Sequence, residues 1–165
     1  MSVIAVELIG REALLRRLDR LPEAVRAALG DGIRRAVLRL QSYVVTEKLT
    51  AAPGPSPSKL HVRTGRLRNS ITTNVEGLTG TVGTNVEYAG IHEFGGTTRA
   101  RVIEAKGARA LRFQIGGRVV FAKRVNHPGS KIPERSFLRS SLHELAPELT
   151  GELKSAATHA VKESG

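Results

Sequence analysis

The spacing of apolar residues predicts two long amphipathic helices, one over residues 22–51 and one over residues 136–161. In both segments apolar side chains recur every three or four positions, which is the repeat of one helix face. Pro147 interrupts the second helix and predicts a kink or a restart there. The two stripes predict a core that includes these residues: Leu29, Ile33, Val37, Leu40, Leu138 and Leu142.

Shorter stretches of alternating apolar and polar residues predict antiparallel strands. Residues 71–76 and 79–85 form one pair around Gly77, and residues 99–105 form a further strand. Residues 111–115 and 118–125 predict a hairpin, because Gly116-Gly117 between them supplies the positive φ of a two-residue turn. In that hairpin Phe113 should lie beside Val120, and Leu111 beside Ala122.

Several short segments complete the predicted order of elements. We expect a strand at 3–8, a helix at 12–21, and one or two helical turns at 88–94. Thr64 is the predicted N-cap of a short helix that runs to residue 71. The Pro-rich residues at about 52–60 predict an exposed, mobile loop. Together the elements predict an α+β fold in a single domain over 1–165, in which both long helices pack on an antiparallel sheet and a basic β-hairpin protrudes.

Composition narrows the range of functions. Aromatic residues are only 4% of the chain, so the core must be built mainly from aliphatic side chains. The chain has no cysteine, which excludes disulfides, thiolate nucleophiles and cysteine metal ligands. Apolar runs are far shorter than the ~20 residues of a membrane helix. No signal peptide is recognisable at the start of the chain.

Positive charge is concentrated in the middle of the chain. Of the formal net charge of +11, residues 51–135 contribute fourteen Lys and Arg against five acidic residues. Residues 99–124, here called the basic arm, carry eight of these cations and a single acid, Glu104. Such a segment favours an anionic partner, either nucleic acid or an acidic protein surface. A genome rich in G and C would also enrich arginine, and the sequence alone leaves both explanations open.

No constellation of residues points to catalysis. His92-Glu93 lacks the second histidine of a zinc-binding His-Glu-x-x-His motif, and no Gly-rich phosphate loop follows a strand. Glu87 and Glu93 could be a carboxylate pair, but each is expected to face solvent or pair with an arginine. The sequence therefore predicts a protein that is not an enzyme and has no cofactor or metal. Phe94 is expected in the core, while Tyr88 and Ile91 are candidates for an interface.

Six motifs occur in an order that resembles the tail-completion and head–tail joining proteins of long-tailed bacteriophages. These proteins are also known as minor tail or virion morphogenesis proteins. In chain order, the motifs are Thr64-Gly-Arg-Leu-Arg-Asn-Ser-Ile71, Val82-Gly-Thr-Asn-Val-Glu-Tyr-Ala89, His92-Glu-Phe-Gly95, Ala110-Leu-Arg-Phe113, Gly117-Arg-Val-Val-Phe-Ala-Lys123 and Pro133-Glu-Arg-Ser-Phe-Leu138. The last motif departs from a tighter Arg-Pro-Phe-Leu that is common in the family.

The resemblance implies a structural protein of the phage neck, in the virion, assembled in the host bacterial cytoplasm. It implies a ring, commonly a hexamer, that contacts the tail tube or tail terminator protein and the head connector or stopper protein. No membrane partner is expected. We expect the basic arm to touch genomic DNA or an acidic neighbour through Arg99, Arg101, Arg109, Arg112, Arg118, Lys123 and Arg124. A stand-alone basic nucleic-acid-binding protein is the alternative, although the chain lacks the aromatic platform of single-strand binders.

Overall fold

The computed structural model describes residues 22–50 and 59–163 and has the predicted α+β class. The predicted strand at 3–8, the helix at 12–21 and most of the Pro-rich loop lie outside the described residues. The helices are α1 (Glu23–Tyr43, continued by a π-helical segment, Val44–Lys48), α2 (Arg66–Asn69), α3 (Ala89–Phe94) and α4 (Arg139–Glu163). The strands are β1 (Thr72–Glu76), β2 (Thr79–Gly83), β3 (Gly96–Thr97), β4 (Arg101–Glu104), β5 (Leu111–Ile115), β6 (Arg118–Ala122), β7 (Arg124–His127) and β8 (Lys131–Ile132).

The described strands form four separate antiparallel pairs, β1–β2, β3–β8, β4–β7 and β5–β6, instead of one continuous sheet. The two long helices accordingly pack mainly on each other, and α1 also packs on the β1–β2 hairpin. The β5–β6 turn at Gly116-Gly117 and the pairing of Phe113 with Val120 confirm the predicted register. The restart predicted at Pro147 is wrong, because α4 runs unbroken through it.

The core lies between α1, α4 and the segments that join them. Its buried side chains are Leu40, Val44, Leu49, Leu60, Ile71, Val86, Ala89, Phe137, Leu138, Leu145 and Leu149. Of the six predicted core residues, Val37, Leu40 and Leu138 are buried, and Leu29 and Ile33 are partly buried. Leu142 was predicted wrongly, since it is 39% exposed. The buried face of α4 runs through Ser141, Leu145 and Leu149. Because a helix turns by about 100° per residue, position 142 lies away from that face.

Two glycines allow other elements to pack closely against α1. A Cβ on Gly32 would lie 2.8 Å from Leu153 of α4, so the two long helices approach closely at this position. A Cβ on Gly80 of β2 would overlap the Val37 side chain and would lie 2.8 Å from Ile33. Polar contacts fasten the same surfaces, because Tyr43 and Lys48 both donate to Glu144 at 2.6 Å and Gln41 donates to the Ile71 carbonyl at 2.7 Å.

Candidate interaction surfaces

Glu93 joins two of the sequence motifs by capping the N-terminus of α4. The start of α4 presents backbone N–H groups that have no partner within the helix. Glu93 Oε2 accepts hydrogen bonds from the N–H groups of Phe137 at 2.8 Å and Leu138 at 3.0 Å. Its Oε1 accepts from the Arg139 N–H at 2.9 Å and from the Ser136 hydroxyl at 2.7 Å. One side chain from α3 therefore fixes the position of the N-terminus of α4, which lies more than forty residues later in the chain.

The Glu93 side chain is fully buried, and its charge is satisfied where it lies. Burial alone raises the pKa of this carboxyl, but the hydrogen bonds from Leu138, Ser136, Arg139 and Phe137 outweigh burial and hold the pKa below its ordinary value. The positive end of the α4 macrodipole favours the same ionised form. Exposure to solvent, one of the two environments expected for Glu93, is therefore wrong, while pairing with an arginine is confirmed at 3.2 Å from Arg139 Nε.

Arg139 completes this junction and explains the position of Phe94. Its guanidinium donates to the Glu93 carbonyl at 3.0 Å and to Glu134 at 2.8 Å. It also lies 4.5 Å from the centre of the Phe94 ring, which is a cation–π distance. Phe94 was predicted wrongly as a core residue, because half of its surface is exposed. The ring covers an arginine at the surface instead of filling the interior.

The basic arm consists of a stem and a tip, and flanking residues form the base from which it projects. At the base β3 pairs with β8, and the Thr98 N–H donates to the Ser130 carbonyl at 2.9 Å. Gly129 has a φ of 96°, and a Cβ there would overlap the Thr98 carbonyl oxygen. The stem is β4 paired with β7, and the tip is the β5–β6 hairpin, which packs mainly on itself.

All the arm cations singled out from the sequence are exposed: Arg99, Arg101, Arg109, Arg112, Arg118, Lys123 and Arg124. They do not form one stripe. Residues that pair directly across an antiparallel ladder share a face, so Arg112 lies with Phe121 and Arg118 with Ile115 on the opposite face. The single acid of the arm, Glu104, is 4.0 Å from Arg124, with both side chains more than half exposed. The arm therefore presents positive charge in several directions.

Apolar side chains on the arm were missed by the sequence reasoning. Val102, Ile115, Val119 and Phe121 are all exposed, with Phe121 at 66% and Ile115 at 62%. Val119 and Phe121 lie on one face of the tip, Ile115 lies on the other, and Val102 lies on the stem, so they cannot all pack on the rest of the chain. The available signal was the run Val119-Val-Phe121, where two adjacent apolar residues must point to opposite faces. The arm is thus a contact surface of mixed chemistry, apolar as well as basic.

The two candidate interface residues, Tyr88 and Ile91, lie on different surfaces. Tyr88 is 40% exposed and meets the His92 ring edge-on, with centroids 6.0 Å apart. Ile91 is partly buried toward the base of the arm, where a Cβ on Gly96 would lie 3.3 Å from it. Tyr88 instead lines a cleft beside α2.

Two absences hold within residues 22–50 and 59–163. No group of three or more His, Cys, Asp or Glu side chains is arranged there to hold a metal ion. Within the same residues no helix has the length and hydropathy needed to cross a membrane. The Glu93 carboxylate is instead hydrogen-bonded to the start of α4.

Comparison with known proteins found one family. The model of the phage virion morphogenesis family matches residues 44–162, from the π-helical end of α1 almost to the end of α4. No curated protein and no solved structure matches the chain. The matched region includes both motifs joined by Glu93 and the whole basic arm.

Proposed function

We propose that this chain, which belongs to the phage virion morphogenesis family, is a structural protein of the phage neck that forms a ring, completes the tail end and joins it to the head connector. Membership of the family gives it a role in building phage particles. The ring, its hexameric size and the contacts with tail and head proteins are the further content of the proposal, together with the absence of catalysis.

The observation that carries the proposal is the basic arm. An isolated two-stranded hairpin is marginally stable in water, yet here one extends on a stem with exposed apolar residues on both faces. Burial of Phe121, Ile115 and Val119 against a neighbour would stabilise it. A ring subunit needs such a surface, because head-to-tail contacts that close by rotation join two different faces.

The arginines of the arm add a second requirement for a partner. Eight cations on a short segment repel one another unless solvent or an anionic surface screens them. In the proposed ring the arm lies at the inner or axial face, beside the DNA path or an acidic neighbour. Contacts with phosphates carry no sequence information, which suits DNA that must slide past. Tyr88 and Ile91 are proposed to contribute to subunit contacts on the body of the protein.

Complementation of a phage that lacks this gene tests the proposal. Loss of the protein should leave filled heads and separate tails. A variant with Arg112→Glu, Arg118→Glu and Lys123→Glu should fold and melt normally but fail to restore joining or DNA passage. The matched control reverses three exposed cations on the helices, Arg35→Glu, Lys154→Glu and Lys162→Glu, and should restore infection. Joined, infectious particles with the arm variant would show that the arm is only a solvated surface.

A further inference from the structure

A second basic surface, separate from the arm, lies beside α2. It is a cleft of about 600 Å³ between α2, the end of α1 and α3. Four arginines and two histidines line it, Arg63, Arg66, Arg68, Arg135, His61 and His92, and no acidic residue does. We call it the arginine cleft. The motif that starts at Thr64 supplies much of it, and nothing in the proposed neck function accounts for that motif.

The local backbone fixes how the motif presents its arginines. Gly65 has a φ of 75° and ends the preceding turn, so α2 starts at Arg66. The Asn69 N–H donates to the Gly65 carbonyl at 2.8 Å, and the Arg66 N–H approaches the Thr64 hydroxyl at 3.4 Å. Thr64 is therefore not the N-cap that the sequence predicted, because Gly65 takes that position. The turn places Arg63 and Arg66 on either side of one glycine.

The four arginines of the cleft have no ion-pair partner within the described part of the chain. None of its ion pairs includes Arg63, Arg66, Arg68 or Arg135. The carboxylates of α4 differ, since Glu144, Glu148 and Glu152 are all paired with cations of α1 or of the segment that continues it. Two nitrogens of the lining residues, Arg135 Nε and His92 Nδ1, are shielded from water and have no hydrogen-bond partner among residues 22–50 and 59–163. Unsatisfied buried polar groups are costly, and a bound anion that let these side chains reorient would remove that cost.

The floor of the cleft is apolar. Leu49 and Leu60 are buried beneath it, Leu67 is partly buried, and Tyr88 stands at its rim. Nucleic acid fits this combination poorly. The phosphates of a duplex lie on a convex surface, and the ring of Tyr88 is already in edge contact with His92. A peptide that carries both carboxylates and aliphatic side chains matches the floor and the walls.

We propose that the arginine cleft binds an acidic segment of a partner protein, whose carboxylates pair with Arg63, Arg66 and Arg68 while an aliphatic side chain rests on Leu49 and Leu60. Arginine suits this role because its planar guanidinium holds a carboxylate through two parallel hydrogen bonds. The inference goes beyond the proposed neck function, since it uses no residue of the arm. It gives the particle a second, independent attachment point on the body of this protein.

His92 provides a reporter inside the cleft. Burial, and secondarily the charge of Arg135, lower the pKa of its imidazole. A carboxylate bound beside Arg135 would offset that positive charge and favour the protonated imidazole, and would so raise the pKa of His92. A partner bound elsewhere, including on the arm, would leave it unchanged. The signal is identified in NMR spectra by its loss in the His92→Gln protein.

The test uses the full chain and a labelled synthetic peptide of alternating Glu and Leu, with a Gln-and-Leu peptide as its match. The acidic peptide should bind and raise the His92 pKa, and the Gln peptide should not. Arg63→Gln with Arg66→Gln should weaken binding by about tenfold or more, while Lys154→Gln with Lys162→Gln, an equal change in charge, should not. Thermal melts of all variants should coincide, since the four side chains are exposed.

Three outcomes would overturn the inference. The first is equal binding of the two peptides, and the second is a His92 pKa that does not change when the acidic peptide binds. The third is a thymidine oligonucleotide that binds the cleft more tightly than the acidic peptide and is released by the same two substitutions. The result is independent of head–tail joining, because no arm residue is changed. Failure here would leave the complementation experiment unaffected, and the reverse also holds.

Discussion

At the scale of single residues, Glu93 contributes to stability far more than its place in a short motif suggests. Its carboxylate accepts hydrogen bonds from three successive backbone N–H groups at the start of α4. Hydrogen bonds to a charged group are about twice as strong as neutral ones. They also hold Phe137, which is fully buried, at the point where α4 enters the core.

Glu93→Gln should destabilise the protein by about 1–3 kcal/mol, because an amide leaves part of this donor cluster unsatisfied. Since the folded pKa lies below the ordinary value of 4.5, the carboxylate's contribution is present above that value and is lost as pH falls through the folded pKa. Urea unfolding at several pH values should therefore show a weaker acid dependence in Glu93→Gln. Glu87→Gln, at an exposed position nearby, is the control. Equal stabilities of the two variants would contradict the capping role.

At the scale of elements, the packing of β2 on α1 depends on a position without a side chain. Gly80 lies over Val37 and Ile33, which are β-branched and therefore stiff. Gly83, on the same strand, has no atom of the described residues within 4 Å of an added Cβ. The two glycines thus separate a packing requirement from the general effect of glycine in a strand.

Gly80→Ala should cost about 1–3 kcal/mol, the usual penalty of overpacking a close contact. Gly83→Ala should change the free energy of unfolding by no more than about 0.5 kcal/mol, as surface substitutions do. Chemical denaturation of both variants measures the difference. A Gly80→Ala protein as stable as Gly83→Ala would show that β2 can move away from α1 at little cost.

At the scale of the whole molecule, the arm and the body offer different surfaces to partners. The arm combines exposed apolar residues with cations, while the body carries the arginine cleft on one side. Two carboxylates of α4, Glu148 and Glu152, are neutralised by ion pairs with Arg39 of α1. This arrangement favours an assembly in which each copy uses more than one contact surface.

The native mass of the purified protein, or of the species released from virions, should be a multiple of 17.8 kDa, six-fold for the proposed hexamer. Phe121→Ser with Ile115→Ser should shift it toward the monomer, since the apolar contact of the arm is lost. The exposed Leu38→Ser is the control. A wild-type monomer that binds DNA at nanomolar concentration, with log affinity falling by about 0.9 per contacted phosphate for each log unit of salt, would favour a stand-alone nucleic-acid-binding protein.

The sequence by itself determined the features that depend on near neighbours. Residue spacing predicted α1 and α4, the Gly116-Gly117 turn set the register of β5 and β6, and the charges of the arm were evident from composition. Tertiary structure alone decided the burial of Glu93, the exposure of Phe94 and Leu142, the division of the strands into four pairs, and the arginine cleft. These features join residues far apart in the chain. Spacing reports which face of an element is apolar, whereas the partner of a buried carboxylate, and the surface that an apolar ring covers, depend on which elements meet.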